Sequence, residues 1–303
     1  AYIVPLVTEW QVLYYRKDLY EEYGLSAPET FEEYLSNAKK LHKPPFQIGV
    51  AMRGSKDQAP PVWFMYLRGF GGEYLDADWK PAFNNEIGVR ALKEYTEILM
   101  TAGPKGVASW GFPEITQAFG AGQVVHTLES SPFAPDFEAE SSPVRGKVGY
   151  APIPKGPEGR GASVFCMSMA MNSRSKQKDA AWLFMQWVTS KELSKKSTLL
   201  QSRGDSPRRS TWSDPEVVEK WTSLGLKEWA QATLDTMPLA IYPGNSNPAD
   251  RTFEPRFPEY LQTREALGVA ISSVLSGASE PEEALDKAAQ SVYQILKEAG
   301  YYE

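Results

Sequence analysis

Residues 8–25 constrain this chain more than any other stretch. Val12, Leu13, Tyr14 and Tyr15 form an unbroken apolar and aromatic run, which reads as a strand. Arg16, Lys17, Asp18 and Leu19 then open a short helix that Gly24 brings to an end. A strand feeding straight into a helix sets a mixed α/β pattern, and the rest of the chain continues it.

Thr30-Phe31-Glu32-Glu33 has the form of a capping box, ahead of Tyr34, Leu35, Ala38 and Leu41 at helical spacing. Pro44 and Pro45 stop that helix, and residues 46–51 read as the next strand. Helices are expected over 59–68 and 87–102, a strand over 123–128 and another over 146–153. The polar, Gly/Pro-rich residues 154–161 are the clearest internal boundary. Beyond them helices dominate, over 178–190, 193–200, 215–223 and 229–234, until an irregular stretch over 242–252. Ser279-Glu280-Pro281-Glu282 reads as a second capping box, opening a final helix that Gly300 stops. The chain thus changes body at least twice, and a cleft between two bodies is where a small ligand is enclosed.

Composition excludes several functional classes. An apolar fraction of 42% is ample for packed cores, which argues against disorder. A net charge of −6 speaks against a nucleic-acid partner. The only obvious basic cluster, Lys39, Lys40, His42 and Lys43, sits where a helix C-terminus welcomes cations. Cys166 is the single cysteine, so no internal disulfide forms, and its apolar neighbours read as buried packing. His42 and His126 have no ligand-spaced companions, so neither metal nor cofactor is expected. No apolar run is long enough to span a bilayer. Of the many aromatic residues, Trp182, Trp187, Trp221 and Trp229 read as helix packing, whereas Trp10, Trp63 and Phe133 stand beside polar residues at element ends.

Residues 8–25 resemble the segment with which extracellular solute-binding proteins of ABC importers, in the large sugar-binding family, cross from their first lobe into their second. Residues 115–131 look like that family's "AFxxGxxAM" helix–strand unit, whose strand ends at the cleft in an acid followed by small polar residues. Glu129, Ser130 and Ser131 match that end, with Glu where the polyol-binding branch usually has Asp. Residues 165–187 resemble the return to the first lobe, where Phe165 matches a ligand-facing aromatic, and 253–268 resemble the re-entry into the second. Pro258, Tyr260 and Arg264 fall where relatives contact ligand. Arg264 offers a planar fork of donors, although a salt bridge with Glu259 or Glu265 is the alternative. The loop over 201–208 matches one near the cleft mouth.

The resemblance implies a two-lobed periplasmic binding protein fold of the type II-like class, with the first lobe incomplete in this chain. Residues 1–9 would end lobe one, 10–160 form lobe two, 161–238 the mostly helical remainder of lobe one, and 239–303 a further crossing and the last helices of lobe two. Without their sheet, the helices of 161–238 would expose an apolar face. The implied function is capture of a sugar or polyol, without catalysis, for the permease of an ABC importer, by a monomer in the periplasm or outside the cell, with or without a lipid anchor. Trp10, Trp63, Phe133 and Phe165 would stack on the ligand, and Glu9, Glu129, Ser131, Tyr260 and Arg264 would bond its hydroxyls. The rival is a glycoside hydrolase using Glu9 and Glu129, since paired carboxylates with aromatic platforms also describe a glycosidase cleft.

Overall fold

The computed structural model describes residues 3–201, 205–242 and 244–302. Ser202, Arg203 and Gly204 of the expected cleft-mouth loop, and Pro243 of the irregular stretch, lie outside the described residues.

The apolar run at Val12 belongs to a much longer strand, β1 (Ile3–Arg16), which feeds directly into α1 (Lys17–Glu22). There follow α2 (Phe31–Leu41), β2 (Ile48–Ala51), α3 (Ala59–Gly69), α4 (Glu86–Ala102), α5 (Phe112–Gly120) and β3 (Val124–Ser130). A short α6 (Ala134–Phe137) leads to β4 (Val148–Ala151) and β5 (Val164–Ala170). The remainder is helical: α7 (Lys178–Val188), α8 (Lys191–Gln201), α9 (Arg209–Trp212), α10 (Pro215–Ser223), α11 (Lys227–Thr236), α12 (Tyr260–Leu275) and α13 (Pro281–Glu298).

β1 serves two sheets. From Ile3 to Trp10 it runs antiparallel to β5, with a register slip between Pro5 and Val7 where proline lacks a ladder donor. From Gln11 it leaves β5 and pairs antiparallel with β3, with β4 along its other edge. β2 lies parallel to β3, giving the order β2-β3-β1-β4.

This second sheet is covered on both faces, and its side chains divide by the alternation of a strand. Leu13, Val50 and Leu128 face a core built from α2, α3, α4, α12 and α13. Val12, Tyr14 and Ala51 face a second core with Phe119 and Phe137. That second core also contains Trp212, Trp221 and Trp229 from α9, α10 and α11, so both tryptophans read as packing on α10 and α11 are buried there. The N-cap half of the box at Thr30 forms, its hydroxyl accepting from Glu33 N–H at 3.1 Å, while the Glu33 carboxylate accepts from Glu29 N–H instead of closing back on Thr30. The one at Ser279 does not: α13 begins at Pro281 behind Glu280, with no side-chain cap. Proline in the first turn needs no donor and sets that start.

The sheet of β1 and β5 is bare by contrast. Phe165 and Met167 on β5, and Trp182, Leu183, Phe184 and Trp187 on α7, are exposed. Cys166, read as buried, is exposed on β5, and Trp182 and Trp187, read as packing, are exposed too. An exposed apolar face was expected of the helices over 161–238 as a whole; α7 shows one, whereas α9–α11 find cover against the second sheet. Among the described residues no helix is long and apolar enough to cross a membrane.

Candidate functional site

β2 and β3 run in parallel and end side by side, and the loops beyond the carboxyl ends of parallel strands are where α/β sheets bind ligands. Glu129 stands at the end of β3, fully buried. Two residues past β2, Arg53 reaches across to it. Arg53 Nε donates to one Glu129 oxygen at 3.0 Å and Nη2 to the other, a bidentate pair. Nη2 also donates to Ser130 Oγ at 3.3 Å. The Ser130 N–H donates to the Glu129 carboxylate at 2.8 Å, and the Tyr95 hydroxyl donates to the Arg53 carbonyl. Burial of Arg53 works against its charge, but the Glu129 carboxylate, with a contribution from Glu9, outweighs it and holds the guanidinium above its usual pKa.

Around this pair lie the loops that shape the site. Gly54 and Ser55 both donate N–H to the Trp110 carbonyl, and Phe112 N–H donates to Gln58 Oε1 at 3.0 Å. These bonds set Phe112 beneath the Arg53 guanidinium, 5.6 Å from its ring centre, and stacked on Phe133 at 5.9 Å. The two rings form an aromatic platform, with Phe112 exposed.

β1 supplies the other wall. Its Trp10 N–H donates to Ser131 Oγ at 3.2 Å, and Gln11 Nε2 donates to Ser130 Oγ at 3.1 Å. The Ser131 carbonyl accepts from the Tyr14 hydroxyl at 3.1 Å and from Trp229 Nε1 at 2.9 Å, tying the end of β3 to α11. Glu9 pairs in register with Phe165 of β5, at the point where β1 passes between sheets. Two buried polar atoms here, Trp10 Nε1 and Gln11 Oε1, have no hydrogen-bond partner among the described residues.

The structure therefore brings six expected residues together: Glu9, Trp10, Glu129, Ser131, Phe133 and Phe165. Three lie elsewhere. Trp63 is wholly buried between Phe64 and Phe83 inside α3, whose sides are nearly all apolar and covered, and offers no open face. Tyr260 is buried against Tyr74 and Phe257. Arg264 donates to the Asp57 carbonyl at 2.5 Å and faces Glu254 at 3.7 Å, not Glu259 or Glu265; those two bond Tyr301 and Lys56.

Sequence reasoning missed Arg53, Phe112 and Gln11. A basic residue just beyond a predicted strand, followed by Gly-Ser, was the available signal for Arg53. Chemically the site offers hydrogen-bonding groups and an aromatic surface. Both Glu129 oxygens are engaged by Arg53, which is not the setting of a general acid, so the geometry gives no support to a glycosidase pair.

A profile of bacterial extracellular solute-binding proteins matches residues 1–195. The chain is 31% identical, over 72% of its length, to a "probable amino-acid ABC transporter periplasmic-binding protein" of Sinorhizobium fredii, and spans half of that protein. It is 28% identical over 99% of its length to a mannitol-binding protein of Pseudomonas aeruginosa, of which it spans 70%. Among solved structures, an ABC transporter solute-binding protein of Agrobacterium radiobacter in complex with ribitol superposes with a TM-score of 0.81 at 32% identity, over 97% of this chain and 71% of that one.

Proposed function

The chain belongs to the bacterial extracellular solute-binding protein family, and from that premise we propose that it captures a sugar or polyol and hands it to the permease of an ABC importer. The observation that carries this reading is the site itself: a buried Arg53–Glu129 pair at the ends of β2 and β3, an aromatic platform of Phe112 and Phe133, and Glu9, Trp10 and Phe165 at the strand crossing. Aromatic faces stack on the C–H faces of carbohydrates, while carboxylates and serines bond their hydroxyls. The mannitol and ribitol relatives support the polyol side of the reading.

Catalysis plays no part in this reading, and the protein acts as a monomer in the periplasm or at the outer face of the membrane, with a lipid anchor as one means of retention. The change of β1 from β5 to β3 after Trp10 supports a hinge at the start of lobe two. Lobe two comprises residues 10–160 and 239–303. The packing of Trp212, Trp221 and Trp229 with Val12 and Tyr14, and of Leu199 of α8 against the same core, supports adding α8–α11 to it, which leaves β5 and α7 with lobe one. Closure then follows from ligand contacts that stabilise the closed arrangement over the open one.

A thermal-shift screen of the full-length protein against alditols, monosaccharides and disaccharides tests the proposal. At ligand concentrations a hundred times the dissociation constant, binding adds about 2.7 kcal/mol and raises the melting temperature. A protein that responds to no sugar and no polyol overturns the reading.

A further inference from the structure

The donors of Arg53 are already committed, and that commitment limits what the site accepts. A guanidinium grips a carboxylate by presenting two parallel N–H groups along one edge. On Arg53 the Nε–Nη2 edge is taken by Glu129. The other fork uses Nη1 with the remaining hydrogen of Nη2, and that hydrogen is directed to Ser130 Oγ. Among the described residues only Nη1 is left to donate, enough for a hydroxyl oxygen and not for a bidentate carboxylate. Ser130 Oγ, accepting from both Arg53 and Gln11, has its own hydrogen to give. Gln11 is 5% exposed, and its Oε1, buried and without a partner among the described residues, is an acceptor awaiting a hydroxyl.

Charge points the same way. Glu129 acts on Arg53 and, with Asp136, on the buried Tyr14 hydroxyl alongside, so among the described residues the Arg53 charge is already answered by a carboxylate. A ligand bringing one more negative charge would meet repulsion in a partly desolvated place, where water screens poorly.

We propose that the site selects by charge, taking neutral polyhydroxylated compounds and excluding their carboxylate counterparts, with Arg53 acting as a donor of single hydrogen bonds and not as an anion receptor. The inference rests on the sugar-or-polyol reading and sharpens it. A free amino acid is excluded on the same ground, because its α-carboxylate would have no fork to enter.

The test is calorimetric titration of the full-length protein at neutral pH with mannitol and ribitol, with D-mannonate as the carboxylate analogue of mannitol, and with a neutral-side-chain amino acid. The alditols are expected to bind, and mannonate to bind roughly a hundredfold more weakly or not at all. Glu129→Gln releases part of Arg53 and removes one negative charge, so the mannitol-to-mannonate preference should narrow by roughly tenfold or more. Should that variant fold poorly, Ser130→Ala removes the acceptor of the remaining Nη2 hydrogen, reopens the second fork and should narrow the preference in the same direction. Alditol binding with no preference over mannonate, or a preference that neither variant changes, overturns the charge-selection proposal and leaves the sugar-or-polyol reading standing. Binding of mannonate or the amino acid without any alditol or sugar overturns both.

Discussion

The Glu129 carboxylate is fully buried, while Arg53, its counter-charge, keeps 16% of its side chain exposed. Removing one member of such a pair strands the other in a poorly solvated place, a cost of about 3–5 kcal/mol, whereas replacing both with apolar groups of similar size is close to neutral. Arg53→Met is therefore expected to lower unfolding stability by about 3–5 kcal/mol, with Arg53→Met/Glu129→Leu recovering most of the loss. Urea unfolding of the two variants checks this, and a double variant no more stable than the single one would refute it. His126 gives the second prediction at this scale. It is buried, its Nδ1–H donates to the Gly49 carbonyl at 2.5 Å, and its Nε2 accepts from the Tyr20 hydroxyl. Burial lowers its pKa to about 4, only partly opposed by the Gly49 bond. In the unfolded chain it titrates near 6.5, so between about 6.5 and 4 the unfolded state binds more protons and folding weakens as pH falls. The contribution is fully present above about pH 6.5 and amounts to about 3 kcal/mol. His126→Gln should flatten the pH dependence of stability in that window relative to the parent, whatever its absolute stability.

Elements whose signals are local were legible in the sequence, and their energetics follow the same logic. On α2 the cap and the apolar stripe lie within a dozen residues, so the Thr30 cap was read correctly, although the Glu33 side chain turns to Glu29 N–H and leaves the box half formed. Thr30→Ala is expected to cost about 1 kcal/mol. Ser279→Ala should stay within about 0.5 kcal/mol, because Ser279 Oγ caps no backbone N–H of α13 and its bonds, to the Glu280 carbonyl at 3.4 Å and to the Glu283 carboxylate, lie at the surface. Chemical denaturation of both variants decides; equal losses would mean that the Ser279 box operates in solution. What depended on pairing between distant segments was not legible. Arg53 gains its role only because β2 lies beside β3, some 70 residues away in sequence, through the Val50–His126 register. Trp63 was misplaced for a related reason: Val62, Trp63, Phe64, Met65 and Leu67 are buried on every side of α3 together, so polar neighbours in sequence said nothing of its surroundings in space. Trp182 and Trp187 failed in the opposite direction, since an apolar helix face reads the same whether or not a sheet covers it.

At the scale of the whole molecule, the two sheets that share β1 are unequal. The second is enclosed by helices on both faces, while the first consists of β1 and β5 with their apolar side chains outward. Leu183 at 66%, Trp187 at 59% and Phe165 at 53% exposure, with Trp182 and Phe184 exposed on the same helix, are more large apolar side chains than one strand and one helix of an ordinary surface present. Such a face binds apolar probes and drives association unless something covers it. The 303-residue polypeptide is therefore expected to enhance the fluorescence of a hydrophobic dye and to self-associate as its concentration rises. Leu183→Glu combined with Trp187→Glu should suppress both effects. The same pair should leave the urea midpoint of the second sheet's core within about 0.5 kcal/mol, because neither side chain packs into it. Dye fluorescence and light scattering, measured beside urea unfolding, separate the alternatives. Suppression without loss of stability locates the association at this face. Unchanged dye binding in the double variant would locate it elsewhere, and would mean that the outward side chains of β5 and α7 are covered in solution by a rearrangement within the chain.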